Sequence, residues 1–483
     1  MRELFKIAWR NLWRNKRRTI ITTSSVFFAT FIALLVRAFQ LGFYNYTLDS
    51  VIEHFIGHIQ IRNIYYQPDN IDNLVEYSEN IKQILKEDKE VKFFIARLES
   101  GAMAMHKDVS KACVIIGIEP VKEKKFSGID TKLAKYKIDD SSIAQMTFLS
   151  QNQKNLLKEA KGYYYNKKTM LYHLISLSKD FSKYIDTIIK YTKFNSRYLQ
   201  PDDNEILIAS GIADFLDLNL GDSIILIGQG YHGVSAMGRY KVAGILALDN
   251  PLMNQTFIYM PLSLAQSFYS TYSFDNNGNL RKYVSYIAIN TPYKASIRPI
   301  DYLAIEKVTK KLKNKIKETD IKILGWQEIN KTLYQQIQTD NISGLIILMV
   351  IYIIIAFGVF GTVLMMMAER RKEFGVMLAI GMSRSLLKKI VILEIFILSV
   401  IGIILAIIVS YPLTIYLHYN PIYLGEEMAK AYEQFNFEPF MPTQLPDTYF
   451  IIQPLIILIM MMLTSIYPIV YLSKLKISKA LRA

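Results

Sequence analysis

The residues whose spacing carries the most chemistry lie in one short charged stretch. Glu369, Arg370, Glu373 and Arg384 enclose an apolar run that includes Phe374, Met377, Leu378, Ala379 and Ile380, punctuated by Gly375 and Gly381. An apolar patch rimmed by charge implies a docking site, and a helix lying flat on a membrane is the physical alternative. Glu394 interrupts a long apolar run soon afterwards. An ionisable group there is costly, so it marks a functional candidate unless it snorkels or pairs with Lys388 or Lys389. Gly402, Ala406 and Ser410 recur every fourth residue. Such a stripe lets another helix approach closely, either within the chain or across a dimer seam. Arg37, near the end of another apolar run, reads as snorkelling outward.

Catalysis finds little support. Gly228-Gln-Gly-Tyr-His-Gly233 matches G-x-G-x-x-G, with Asp249 following it. A dinucleotide site needs a helix N-terminus directly after the glycines, so that backbone N–H groups meet the pyrophosphate. Residues 234–246 read instead as a turn and a strand, which makes the motif a hairpin. No G-x-x-x-x-G-K-[ST] loop is present, so the chain cannot bind ATP in the P-loop manner. H-E-x-x-H, G-x-S-x-G and C-x-x-C are absent too, and the six histidines have no metal-ligand spacing. Cys113, the one cysteine, cannot form an intramolecular disulfide. The expectation is a protein with no catalytic residues, no cofactor and no metal of its own.

The elements that must position these residues are long and apolar. Of 483 residues, 51% are hydrophobic and 20% charged, against about 25% charged in soluble domains. Disordered, collagen-like and disulfide-stapled chains are excluded. Four stretches reach the roughly 20 apolar residues that cross a bilayer: 19–41, 341–368, 390–417 and 448–473. The first is too long for a signal-peptide core and lacks a small-residue cleavage site after it, so it reads as an uncleaved helix. Segments 1–18, 369–389 and 473–483 hold seventeen basic residues against three acids, which is fourteen of the fifteen excess positive charges. That is the positive-inside pattern. It places both termini, the 369–389 loop and the 474–483 tail in the cytoplasm, with 42–340 and the loop 418–447 outside. Basic residues that hug the membrane ends, instead of forming a patch on a soluble domain, exclude nucleic acid.

Segment 1–18 carries an amphipathic helix, with Leu4, Phe5, Ala8 and Leu12 at helical spacing and Trp9/Trp13 and Arg10/Arg14 one turn apart. Trp and Arg suit headgroup depth, so the helix is expected in the membrane interface. The outer region mixes strands, at 57–63, 111–118, 205–209, 223–228, 239–246, 257–260, 284–290 and 321–324, with a short helix at 208–220. Residues 140–200, rich in Lys, Tyr and Ser, read as a helical insertion, and 299–340 as a helix, a strand and a helix entering the second span. The loop 418–447 has four prolines and five acids against one lysine.

These residues together resemble the FtsX-like permease family of ABC transporters, in layout closest to its lipoprotein-releasing LolC and LolE branch. The resemblance rests on Glu369-Arg370, Glu373, Gly375, Ala379 and Gly381, on Glu394, on Tyr467-Pro468 and on the closing 477–482, where Ser478 stands in place of a frequent proline. Ala8-Trp9-Arg10-Asn11-Leu12, Ala96-Arg97-Leu98, Gly117-Ile118-Glu119-Pro120, Leu220-Gly221-Asp222 and Val242-Ala243-Gly244-Ile245 extend it over nearly the whole chain outside 140–200. It implies an α-helical membrane protein with four transmembrane helices and a large α+β extracytoplasmic domain of the MacB periplasmic core type. It also implies a bacterial inner-membrane permease subunit that is not itself an enzyme. ATP and Mg would be bound by a cytoplasmic ABC ATPase dimer. That ATPase would dock on a coupling helix at about 373–383, through Glu369, Arg370, Glu373, Phe374, Gly375, Met377, Ala379, Ile380, Gly381 and Arg384. Further implied partners are a second permease chain, identical or related, a lipoprotein or other amphiphilic cargo, and a periplasmic carrier. The family equally contains mechanotransmission subunits that regulate an extracytoplasmic hydrolase or sensor, and exporters of amphiphiles or peptides.

Overall fold

The structure is a computed structural model and describes residues 2–68, 70–248, 250–424, 440–477 and 480. Asp249, the bulk of the acidic loop at 425–439, and Ser478 and Arg482 of the closing motif lie outside the described residues. The chain divides into two compact units, one of residues 1–45, 335–422 and 441–483, the other of residues 46–334 and 423–440.

The first unit is helical. An apolar run without water must satisfy every backbone group internally, which a helix does. The elements are α1 (Arg2–Arg14), α2 (Lys16–Leu48), α3 (Lys331–Glu369), α4 (Arg371–Ala379), α5 (Arg384–Tyr419), α6 (Tyr449–Thr464) and α7 (Ile466–Lys474). Among the described residues, four helices are long and apolar enough to cross a membrane: α2 with its continuation to Ile56, then α3, α5 and the α6–α7 pair. The first is much longer than the 19–41 expectation. It continues through a π-helical stretch, Asp49–Ile56, and stops at Gly57, whose φ of 83° favours glycine.

Close approach holds this unit together. A Cβ at Gly402 would lie 2.8 Å from Val26 Cβ and 2.9 Å from the Thr23 carbonyl, so the small-residue stripe of α5 faces α2 of the same chain. Ser410 and Thr414 are buried along α5 and donate to the carbonyls of Ala406 and Ser410 at 2.7 Å. Arg37 does not reach outward as its sequence position suggests. Its Nη1 donates to Gln40 Oε1 at 2.6 Å and to Asn341 Oδ1 at 2.8 Å, while Tyr44 bonds Asp340. A guanidinium with five donors finds side-chain acceptors on its own helix and on the neighbouring one.

The second unit is built on a nine-stranded sheet: β1 (Ile59–Asn63), β2 (Phe93–His106), β3 (Val109–Ile118), β4 (Glu205–Ala209), β5 (Ser223–Gln229), β6 (Ser235–Leu246), β7 (Phe257–Pro261), β8 (Tyr286–Asn290) and β9 (Ile321–Gly325). Their order is β9-β1-β8-β2-β3-β7-β4-β6-β5, and β5 also pairs with β2, so six strands close into a barrel and three extend from it. Sequence reading passes over β2, the longest strand. Ser100, Gly101, Ala102 and Ala104 in its middle have small side chains with weak strand preference. Pairing with β3 from Leu98–Gly117 to His106–Val109 overrides that preference. The 284–290 strand proves to be two, with Leu280–Val284 in a separate three-stranded sheet. The glycine motif at 228–233 is the β5–β6 hairpin, closed by a 3-10 turn at Tyr231–Gly233 and followed by strand.

The insertion folds as four short helices, Asp140–Gln145, Gln151–Glu159, Lys167–Leu177 and Ile185–Tyr191, around Met146, Leu157, Met170, Leu174, Phe181 and Ile188. Asp139 and Ser150 start the first two with reciprocal capping boxes. Elsewhere in the unit, Arg97 on β2 is 1% exposed and grips the equally buried Glu123 through two bonds, of 2.6 and 3.1 Å. It also donates to the carbonyl of Phe55 in the π-helical stretch. Arg97→Ala strands Glu123 without a partner, at an expected cost of about 3–5 kcal/mol. Urea unfolding followed by emission of buried Trp326 measures it, and a loss below about 1 kcal/mol would show that the pair is not a structural anchor.

Candidate functional site

Helix α3 ends at Glu369, and the chain bends at Arg370 into α4. Gly381, at φ 100° and with open space where a Cβ would be, closes the turn after α4. Ser383 then caps α5, its hydroxyl accepting from the Leu386 N–H at 3.3 Å. The segment is therefore a helix–turn–helix whose turn needs the left-handed conformation that glycine adopts at no cost.

Two of its charged side chains, Arg370 and Glu373, bond within the bundle. Arg370 is buried. Its Nη1 donates to Glu394 Oε2 at 2.6 Å, and its Nε to Glu373 Oε2 at 3.2 Å. The guanidinium also lies over the Phe374 ring, 5.1 Å from its centroid. The other Glu394 oxygen accepts from Asn11 Nδ2 of α1 at 2.7 Å. Glu394 thus pairs with neither Lys388 nor Lys389. It is fully buried on the face of α5 that carries Leu387 and Val391, whereas the two lysines point elsewhere around the helix. Glu373 also accepts from Arg14. Glu369 lies 3.5 Å from Asn15 Nδ2 and 3.8 Å from Arg18 Nη1. Burial alone would raise the Glu373 carboxyl, but Arg14 and Arg370 outweigh it and hold the group below its ordinary value of 4.5.

Asn11, Arg14, Asn15 and Arg18 supply this network, and their role went unread in the sequence. The signal was present: they recur at i, i+3, i+4 and i+7, a polar stripe along a helix that is apolar or basic elsewhere. Arg384, expected at the docking surface, instead donates to the carbonyls of Ser473 and Leu475, the latter at 2.9 Å. It satisfies the orphan acceptors at the end of α7.

The apolar residues of the segment divide between two faces. Phe374, Gly375 and Leu378 are buried, Phe374 and Leu378 among Met366, Met367, Leu387 and Val391, and Met377 packs partly against that core. These residues do not form the exposed surface that the sequence suggests, because the bundle itself covers them. The outward face consists of Lys372, Val376, Ala379 and Ile380, with Ile380 81% exposed. Arg370, Glu373, Phe374 and Arg384 therefore position the segment, and Val376, Ala379, Ile380 and Gly381 present it.

A cleft lined by Arg18, Thr22, Thr362, Val363, Met366 and Met461 has room for little more than one water. Among the described residues no three His, Cys, Asp or Glu side chains could share a metal ion.

Residues 345–477 match the family model described as FtsX-like permease C-terminal. The match takes in most of α3, all of α4 and α5, and the α6–α7 pair, and so contains the Arg370–Glu394 pair and the whole outward face. No curated protein matches the chain. Among solved structures, the periplasmic region of MacB from Actinobacillus actinomycetemcomitans is similar at 12% identity and a TM-score of 0.29, covering 58% of this chain and 94% of that one. The extracellular domain of the noncanonic ABC-type transporter YknZ from Gram-positive bacteria gives 11% and 0.27, over 55% and 99%. A permease-protein domain from Porphyromonas gingivalis gives 9% and 0.24, over 56% and 87%.

Glu394 and Glu373 can each be tested by substitution. Glu394→Ala leaves Arg370 buried without its main acceptor and should lower stability by about 3–5 kcal/mol in detergent unfolding, with Glu394→Gln losing less. Because the Glu373 value is depressed, its contribution is present above the ordinary carboxyl value and is lost as pH falls through the folded one. Thermal melting between pH 7 and about pH 3 should therefore show a smaller acid-induced drop in Glu373→Gln than in the unmodified chain. Identical drops would mean that this carboxylate carries no linkage.

Proposed function

We propose that the chain is the permease subunit of an ABC transporter, moved by a separate ATPase that binds ATP and Mg and docks on α4. One observation supports this above the others: Arg370 and Glu373 are spent on internal bonds, and α4 turns Val376, Ala379 and Ile380 outward. An apolar face held rigid in this way, with Lys372 at its rim, suits a protein partner better than solvent. The distribution of basic residues supports a cytoplasmic position for α4 and both chain ends, and an extracytoplasmic one for residues 46–334.

The chain passes between its two units within α2 and α3, each of which carries residues of both. Displacement of these helices, driven by the ATPase, would move the outer unit. We assign the transported material to lipoproteins or similar amphiphiles, extracted from the outer leaflet of the inner membrane and handed to an outside carrier, with a second permease chain completing the complex. The large outer unit supports this reading, because it offers much surface for cargo.

Val376→Asp with Ile380→Asp tests the docking face. Affinity purification from a native host should recover a P-loop ATPase with the unmodified chain and at least about tenfold less with the double variant, at unchanged melting temperature. Full recovery with the variant would remove α4 as the docking site. Acylated lipoproteins should co-purify with the unmodified complex. An outside hydrolase or sensor kinase in their place would overturn the cargo assignment and leave the docking face standing.

A further inference from the structure

The outer face of α1 is unaccounted for by packing. Ala8 and Leu12 are buried against Ile397 and Leu398 of α5, and Asn11 and Arg14 are bound to Glu394 and Glu373. These contacts fix the rotation of α1 about its axis. What they leave outside is ordered. Phe5, Trp9 and Trp13, one turn apart, are 48%, 40% and 50% exposed. Their rings form a ladder, Phe5 stacked on Trp9 at 6.4 Å and Trp13 edge-on to Trp9 at 5.9 Å. Beside the ladder run Arg2, Lys6 and Arg10, with Arg17 just beyond at the start of α2. Lys6 pairs with Glu3, the single acid of residues 1–18. Among the described residues, Arg2, Arg10 and Arg17 have no carboxylate within ion-pair distance. Going around the helix, a bundle-facing stripe, an aromatic stripe and a cationic stripe follow one another.

We propose that this strip binds anionic phospholipid headgroups: the aromatic ladder enters the interface at headgroup depth, and Arg2, Arg10 and Arg17 recognise the phosphodiester charge. Three observations converge on a lipid as the occupant. The strip adjoins a helix long and apolar enough to span a bilayer. Exposed indole rings in line with arginines match the interfacial zone, where one side is apolar and the other wet. The uncompensated charge is of one sign, and juxtamembrane cations of this kind concentrate anionic lipid. Zwitterionic lipid offers the ladder the same apolar contact but leaves the arginines facing a headgroup of no net charge. The strip should therefore discriminate by headgroup and not merely adhere.

The chain reports on this by itself. It has three tryptophans, of which Trp326 is fully buried and serves as an unquenched reference. The full chain is placed in phosphatidylcholine nanodiscs that contain about 10 mol% phosphatidylglycerol. Bromines are carried on the phosphatidylglycerol acyl chains in one sample, and on an equal amount of phosphatidylcholine in the other. Quenching of Trp9 and Trp13 should be at least about twofold stronger with the brominated anionic lipid. That preference should vanish in Arg2→Gln/Arg10→Gln/Arg17→Gln, a variant that touches no buried contact, and in high salt. Equal quenching in the two samples would mean an interfacial helix with no headgroup preference. No quenching in either would mean that the ladder faces something other than lipid. Preference retained by the triple variant would move the recognition to other residues. Each of these three results overturns the proposal.

Discussion

A guanidinium placed among apolar helices has to be neutralised where it stands, and Arg370 is in that position. Glu394 supplies the charge from α5, Glu373 a second acceptor from α4, and Asn11 satisfies the oxygen that Arg370 leaves open. Removing such a group from water is expensive, and the attraction repays it only when the geometry is tight and every remaining donor and acceptor is met. The cluster meets that demand by drawing on three parts of the chain that are far apart in sequence. The same bonds set the direction of α4. With Arg370 and Glu373 turned inward and Phe374 packed in the bundle, Val376 and Ile380 have only the outside left to them.

The arrangement also relates two surfaces that would otherwise seem separate. Helix α1 touches the cluster through Asn11 and Arg14, and its outer face carries the aromatic and cationic strip. Helix α4 touches it through Arg370 and Glu373, and its outer face carries the apolar patch. A buried network of this kind is stiff, because loosening one member leaves the others unpaired in a low dielectric. Any displacement of α4 would thus be opposed by α1 and by the base of α5.

Much of the fold was legible because its signals are local. Twenty or more apolar residues in succession leave the backbone no choice but helix, and the strands 205–209, 223–228 and 257–260 announce themselves by β-branched and aromatic content. β2 did not, because Ser100, Gly101, Ala102 and Ala104 are small and the strand exists through its partners. The segment 369–389 was recognisable as special, but its inside and outside were not. Phe374 and Ile380 look alike in sequence, and only the bundle decides that one is covered and the other 81% exposed. Glu394 was legible as an anomaly, yet its partner lies 24 residues back, across a turn, while two lysines stand closer in sequence on the wrong side of the helix. Proximity in sequence misleads when a helix rotates 100° per residue.

The inward anchoring of α4 depends on coupling between Arg370 and Glu394, and a double-mutant cycle measures that coupling directly. Arg370→Met, Glu394→Met and the double variant, unfolded in detergent beside the unmodified chain, give the interaction free energy free of each residue's own packing. The structure predicts that the double variant is more stable than the two single losses summed by about 2 kcal/mol or more. Losses that add to within about 0.5 kcal/mol would show that the two side chains do not act as a pair, and the inward anchoring of α4 would have to be abandoned.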